Sequence, residues 1–259
     1  MAEKLKGISA IIIARNEEKR IKNCLDSLKW ASEIIVIDNN STDMTNKIVK
    51  SYEVRIFHSI EKNFSQLRMF GLSKSRFQWI LYIDADELVT PELRDEIIDI
   101  VNSASGNPEC MSYYIYRKNY YLGHQWPYQD KMVRLFQKRV IKGWEGILHE
   151  TAIVDGNIGY LKNNLIHYTH RTLEHMISKT NEWSQVEAEL RYNSHHPSVV
   201  WWRFIRVMVT AFWESFFRQY GWRAGTVGWV ESIYQSYSMF ITYAKLWELQ
   251  RNYGHNTIK

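Results

Sequence analysis

Only two cysteines occur in the 259 residues, Cys24 and Cys110, and they form neither a disulfide-like nor a metal-like pattern. Their scarcity points to a reducing compartment. No run reaches the roughly 18–20 uncharged apolar residues that a spanning helix needs. The opening stretch MAEKLKGISAIIIARNEE has a short apolar core, but charges follow at once and no small-residue cleavage site appears. A cytoplasmic location is therefore expected. There is no G-x-G-x-x-G and no Walker lysine, so neither a dinucleotide fold nor a P-loop is supported. Internal repeats and low-complexity segments are missing too. A charged fraction of 24% argues against global disorder, and 45% hydrophobic residues support a sizeable core.

What is present is an alternation. ISAIIIA (8–14), EIIVID (33–38), VRIFHS (54–59) and WILYIDAD (79–86) read as strands. Between them EEKRIKNCLDSLKW (17–30), DMTNKIVKSY (43–52) and NFSQLRMFGLSKS (63–75) read as helices. Strands that are apolar throughout, alternating with helices, indicate an α/β fold with a mostly parallel sheet covered on both faces. In such sheets the ligand lies beyond the carboxyl ends of the strands. Asn16, Asp38, Asp84 and Asp86 all fall there. Thr90 and Pro91 open a helix over 90–101. Aromatic segment 111–122 and segments 131–137 and 151–156 look like further strands, with 123–130 irregular between them. Residues 172–192 form an amphipathic helix. Composition shifts near NSHHPS (193–198), which suggests a main domain over 1–196 and an appendage over 197–259.

The apolar run Trp79–Ile83 ends in Asp84, Asp86 and Glu87. Carboxylates crowded at a strand end need a cation or hydrogen-bond donors. Asp84 and Asp86 are two apart, so in an extended chain both lie on one side and can approach one ion. Oxygen ligands suit Mg²⁺ or Mn²⁺, and such ions bind through one or two carboxylates plus substrate phosphates. The plainer alternative is that Glu87 and one aspartate cap the next helix. Asp38, in VIDNNSTDMT (36–45), could accept hydrogen bonds from a base or ribose, while Thr42 or Asp43 could cap the following helix. In IIIARNEEKRI (11–21), Arg15, Asn16 and Glu17 are placed beside Asp38.

Taken together, IIARNEE, VIDNNSTDMT and YIDADE resemble the inverting glycosyltransferases of family 2, with the GT-A fold. Ala14 stands where many members carry a proline. More narrowly, DADELVTPEL (84–93), RKNYYLG (117–123), RLF (134–136) and ILHE (147–150) are similar to the bacterial lipopolysaccharide-core β-glucosyltransferase branch. The resemblance implies that Ala14, Asn16, Glu17 and Asp38 hold the nucleotide base and ribose. Asp84 and Asp86 would bind the diphosphate through a metal, with Asp86 the direct ligand, and Arg68 would contact the nucleotide sugar. Arg15, Asp43 and Ala85 complete the expected donor set. Arg68 could equally be an exposed helix residue.

An inverting transfer needs a base for the acceptor hydroxyl. Glu150 is the first choice, in WEGILHE (144–150), where Gly143 and Gly146 permit close backbone approach. Asp130 is second. His149 could be a base, a metal ligand or a structural histidine. His167 is a candidate further metal ligand, ahead of His170.

The charge of +5 is concentrated at the end of the chain. From Pro197 onward there are seven Lys and Arg against three Asp and Glu, with 16 of the 37 aromatic residues. Wound as helices, 199–218 and 229–249 each carry one narrow polar stripe: Arg203, Arg206, Thr210, Glu214 and Arg218 in the first, and Glu231, Gln235, Ser238, Thr242 and Lys245 in the second. They could pack as core, form a homo-oligomer contact, or lie on the inner-membrane surface. Nucleic-acid binding is disfavoured because the charges sit within apolar helices. The expected function is metal-dependent transfer of a hexose from a nucleotide-diphosphate sugar, UDP-hexose, to a cell-envelope glycan or lipid-linked saccharide. The alternatives are a polyprenyl-phosphate glycosyltransferase and a non-catalytic sugar-nucleotide-binding membrane adaptor.

Overall fold

The computed structural model describes residues 7–61, 63–103, 109–146, 150–169 and 171–254. His149 and His170 lie outside the described residues. The chain divides into two compact units, Met1–Lys118 with Gln129–His167, and Asn119–Tyr128 with Tyr168–Lys259. The anticipated boundary at 196/197 falls inside the second unit, because the helix before it packs on the last helix of the chain.

The first unit opens with β1 (Ile8–Ala14), α1 (Ile21–Ser27), β2 (Glu33–Asp38), α2 (Thr45–Val49), β3 (Arg55–His58), α3 (Phe64–Lys74) and β4 (Trp79–Asp84). The order β3-β2-β1-β4 is parallel throughout. The period of two sends alternate residues to opposite faces. Ala10, Ile12 and Val36 join α1 through Ile21 and Leu25. Ile11, Ile35 and Ile37 meet α3 through Leu67. Each such burial contributes about 1.5–3 kcal/mol. Register opposes Ala14 to Asp38 and Ile13 to Asp84, so the polar strand ends are neighbours.

Beyond β4 the sheet changes character. There follow β5 (Glu87–Val89), α4 (Pro91–Ser103), β6 (Ser112–Tyr121), β7 (His124–Gln125), β8 (Asp130–Gln137), β9 (Ile141–Glu145), β10 (Thr151–Val154) and β11 (Ile158–Tyr168). The sheet continues from β4 through β8, β6 and β11 to β5. Pairings β4–β8, β6–β8 and β5–β11 are antiparallel. The α/β class therefore holds, while the parallel ladder is limited to the first four strands. The two-stranded β9–β10 sheet stands apart. Thr90 caps α4 as expected, its Oγ1 accepting from the Leu93 N–H at 3.2 Å.

The second unit holds α5 (Leu173–Asn193), α6 (Trp201–Trp213) and α7 (Gly225–Gly254), with a π-helical turn at Glu214–Arg218. Ala188, Val207, Tyr243 and Leu246 form its small core. In the polar stripe of α7, Glu231 and Thr242 are buried and Gln235, Ser238 and Lys245 half-buried, while Trp229, Ile233 and Tyr237 are exposed. No helix among the described residues is long and apolar enough to cross a membrane.

Gly71 allows α3 to lie against β1, since a Cβ there would sit 2.6 Å from Ile11 Cγ2. Gly71→Val should lower stability by about 1–3 kcal/mol through overpacking. A fall in the urea midpoint without change in slope would show it.

Candidate active site

The first cluster joins the ends of β1 and β2. Asn16 takes a left-handed φ of 56°. Its Oδ1 accepts from the Thr42 N–H at 2.8 Å, and its own N–H donates to Ser41 Oγ at 3.1 Å. The Glu17 N–H donates to Thr45 Oγ1 at 2.7 Å, and the Glu18 N–H to Asp43 Oδ2 at 3.0 Å. The RNEE and NNSTDMT loops thus clamp each other, with Asn16 and Asp43 as the cross-links. Asp43 also accepts from the Thr45 N–H at 3.0 Å, although the residue at the helix start is Met44, with no side-chain cap.

Asp38 is buried beneath this clamp. It accepts from the Ser41 N–H at 3.3 Å and from Asn46 Nδ2 at 2.9 Å, and lies 3.1 Å from His58 Nδ1. Burial alone would push its pKa up, but these hydrogen bonds outweigh it and hold the carboxyl below its ordinary value. Ala14 is buried, and its carbonyl accepts from the Asn39 N–H at 2.8 Å. Arg15 is exposed.

The second cluster forms where β4 meets β8. Extended chain stops at Asp84, and Ala85 and Asp86 form a turn before β5. The expectation that Asp84 and Asp86 share one side required an extended chain, so it fails here. Asp84 turns to Arg134, which forms two contacts to its carboxylate, one of them at 3.3 Å. Arg68 Nη2 lies 3.6 Å from Asp84 Oδ1. Asp86 instead meets His167, with Oδ1 to Nε2 at 3.5 Å. Ala85 is buried between them in sequence.

Glu87 is fully buried and does not cap α4. It accepts from the Asp84 N–H at 2.9 Å, from Arg134 Nη2 at 3.0 Å and from Arg117 Nη1 at 3.1 Å. Arg117 also donates through Nε to Asp130 Oδ2 at 3.0 Å, across the β6–β8 pair. Burial would raise the Asp84 pKa, but the charges of Arg134 and Arg68 outweigh it. They hold the carboxyl well below the usual carboxylate range.

Arg68 is buried and its Nη2 lies 3.7 Å from Glu150 Oε2 as well as 3.6 Å from Asp84. Its backbone carbonyl accepts from Tyr82 OH at 2.9 Å, which anchors this part of α3 to β4. For Glu150 the balance is opposite. Burial pushes its pKa up, and the charge of Arg68 only partly offsets that. One guanidinium therefore links a strand-end carboxylate that stays ionised to another that holds its proton more firmly.

A divalent cation is the group the sequence implies. Asp86 and His167 offer one oxygen and one nitrogen donor, each side chain 14% exposed. Asp84, the other expected ligand, is turned to arginines. Among the described residues no group of three His, Cys, Asp or Glu side chains could hold an ion. Two protein donors completed by substrate phosphates match the habits of Mg²⁺ and Mn²⁺. The residues present fit an ion shared with a diphosphate, not one caged by protein.

A family model, glycosyl transferase family 2, matches residues 9–154. The chain belongs to this family. The matched region runs from β1 to the last residue of β10. Lipopolysaccharide core biosynthesis glycosyltransferase LpsC of Rhizobium meliloti (strain 1021) is 26% identical over 256 residues, covering 93% of this chain and 92% of its own. An uncharacterized glycosyltransferase of Rickettsia bellii (strain RML369-C) is 30% identical over 263 residues, covering 94% and 87%. Among solved structures, S. aureus TarS 1-349 in complex with UDP-GlcNAc aligns over 96% of this chain and 92% of that one, at 14% identity and a TM-score of 0.47. This family 2 glycosyltransferase is an enzyme, and its strand-end clusters, His167 apart, lie in the matched region.

The acidic motif brought Asp84 and Glu87 to notice and the family resemblance Arg68 and Glu150, and the structure assembles them. Arg134 and Arg117 were missed as parts of the same cluster. Their signal was an arginine at a buried register within aromatic strands, in RKNYYLG and RLF. Arg134→Leu should destabilise the fold by about 3–5 kcal/mol, because Asp84 and Glu87 lose a buried counter-charge. Chemical denaturation measures this, and a loss below about 1 kcal/mol would contradict the arrangement.

Proposed function

We propose that this family 2 glycosyltransferase moves a hexose, with inversion, from a UDP-hexose to a saccharide acceptor of the cell envelope. The observation that carries the reading is the Arg68 bridge, which puts the Glu150 and Asp84 carboxylates on either side of one guanidinium. The name of LpsC supports a lipopolysaccharide-core saccharide as the acceptor. Two unpaired cysteines suit a reducing, cytoplasmic setting.

In this reading Asp38 and the clamped loops at the ends of β1 and β2 receive the nucleoside. Asp86 and His167 are the residues that would hold a divalent cation with the diphosphate. When bound, the cation neutralises charge that develops on the leaving diphosphate. Glu150 accepts the proton of the acceptor hydroxyl while that oxygen bonds to the anomeric carbon. The bond from that carbon to the diphosphate breaks, and its electron pair leaves with the diphosphate. Burial gives Glu150 a raised proton affinity, which suits a base. Arg68 keeps it from becoming too reluctant to ionise. Asp130 is bound by Arg117, which supports Glu150 over it as the base.

Glu150→Gln should lower turnover by about 10²–10⁴-fold and leave UDP binding within error. Near-native turnover would end the assignment. Wild-type activity requires ionised Glu150, so the acid limb of kcat/KM should fall at a pH above the ordinary glutamate value of about 4.3. The same raised pKa means that Glu150 favours the folded state at low pH and loses that contribution as pH rises through its folded value. Asp84 and Asp38, held low, contribute above the ordinary aspartate value and lose it only as pH falls through their depressed values.

A panel of nucleotide sugars with Mn²⁺, Mg²⁺ or EDTA tests donor and metal together. Transfer to core oligosaccharide that EDTA abolishes supports the proposal. Transfer to polyprenyl phosphate alone would favour that acceptor class. Binding of UDP-sugar with neither transfer nor hydrolysis would indicate an adaptor.

A further inference from the structure

The second unit has a small apolar core, yet it buries several polar side chains and leaves many large apolar ones exposed. In α7, Glu231 and Ser232 are completely buried, while Trp229 is 53% and Ile233 57% exposed. In α6, Trp201 is 74%, Ile205 56%, Val209 61% and Trp213 56% exposed. At 100° per residue these four lie on one arc, and Val207 faces the bundle on the other side. Serines link the packed faces: Ser215 Oγ lies 3.0 Å from Ser232 Oγ, and Ser236 Oγ donates to the Met208 carbonyl at 2.9 Å. Small polar residues between helices with apolar residues outside is the packing logic of helices in lipid.

We propose that α6 and the turn after it dock on the surface of an anionic lipid bilayer. Charge chooses this occupant. Arg206 lies beside the exposed arc, and Arg218 and Arg223 are exposed in the turn after it. The guanidinium groups of Arg203 and Arg206 lie 5.0 and 5.6 Å from the Trp202 ring, and that of Arg223 lies 6.0 Å from the Trp222 ring. Arginine over an indole at a water–hydrocarbon boundary keeps its charge among phosphates while the ring enters the acyl region. The acidic groups nearby are spoken for, because Glu214 pairs with Arg218 at 2.8 Å and Glu231 is buried. A second copy of this chain would bring one basic face against another. No helix among the described residues is long and apolar enough to cross a membrane, so the proposed contact lies in the interface without spanning it. The two proposals rest on different residues, and either can fail without the other.

The test is flotation of the full chain with phosphatidylcholine vesicles and with vesicles that also contain phosphatidylglycerol. The wild type should float with the anionic vesicles, and Trp201→Ser/Ile205→Ser/Val209→Ser should reduce partitioning about tenfold or more. Arg206→Gln/Arg223→Gln should remove the anionic preference, as should high salt. Brominated lipid should quench wild-type tryptophan fluorescence, a readout that depends on no variant folding. The proposal is overturned if wild type neither floats nor is quenched, or if the triple variant floats as well as wild type. It is also overturned if the same substitutions abolish a lipid-free dimer seen by sedimentation and flotation is absent.

Discussion

The guanidinium of Arg134, buried between Asp84 and Glu87, is the contact on which the first unit turns. Asp84 ends β4, the last parallel strand, and Arg134 belongs to β8, the first antiparallel one. The ion pair therefore crosses the seam of the sheet. Glu87 reinforces it by accepting the Asp84 N–H, and Arg117 carries the network to Asp130 on β8. Buried pairs of this kind add little net stability against a well-packed apolar alternative, yet breaking them is costly. Their consequence here is geometric: the chain must leave β4 in one direction, and the turn at Ala85–Asp86 follows.

That geometry separates the roles of carboxylates that the sequence shows as a single acidic run. Asp84 faces two arginines, whose charges hold its carboxyl well below the usual carboxylate range. Asp86 faces His167 and keeps company suited to a cation. Glu150 shares Arg68 with Asp84 but loses more hydration than the guanidinium restores. Environment, not residue type, gives a fixed anion, a candidate ligand and a candidate proton acceptor. Four carboxylates, on Asp84, Glu87, Asp130 and Glu150, surround the three guanidiniums of Arg68, Arg117 and Arg134. Additional negative charge from a diphosphate would need a counter-ion beyond these arginines.

The strands and helices up to Asp84 were legible because most of the strands are apolar runs and the helices between them carry periodic apolar positions. The first family motifs lie in this part. The later strands were harder. Residues 141–145 (IKGWE) are partly exposed with no clear alternation, and the eleven-residue β11 runs through NNLIHY with polar residues inside it. Their strand state depends on partners far away in sequence, which periodicity does not record. The site was half legible for a related reason. Asp84, Arg68 and Glu150 could be singled out, the first by motif and the other two by family resemblance, but the arginines that join them depend on β8 and β6 being antiparallel. The two-residue spacing of Asp84 and Asp86 misled because it assumed that the strand continued past its end.

The helices at the end of the chain carry a different lesson. A narrow polar stripe on an apolar helix defines two faces, but periodicity does not say which one is inside. In water the wide apolar face should close on its neighbour and leave the stripe outside. Here the stripe of α7 supplies buried Glu231 and Thr242, while the aromatic face stays open. Burying Glu231 among helices has a desolvation cost, partly offset by the 2.6 Å hydrogen bond from Gln235. A bundle that accepts this cost and still leaves Trp201, Val209, Trp213 and Trp229 uncovered is poorly matched to water on its outer side. The match improves when that side meets hydrocarbon at the level of lipid headgroups, where indoles and arginines both find partners.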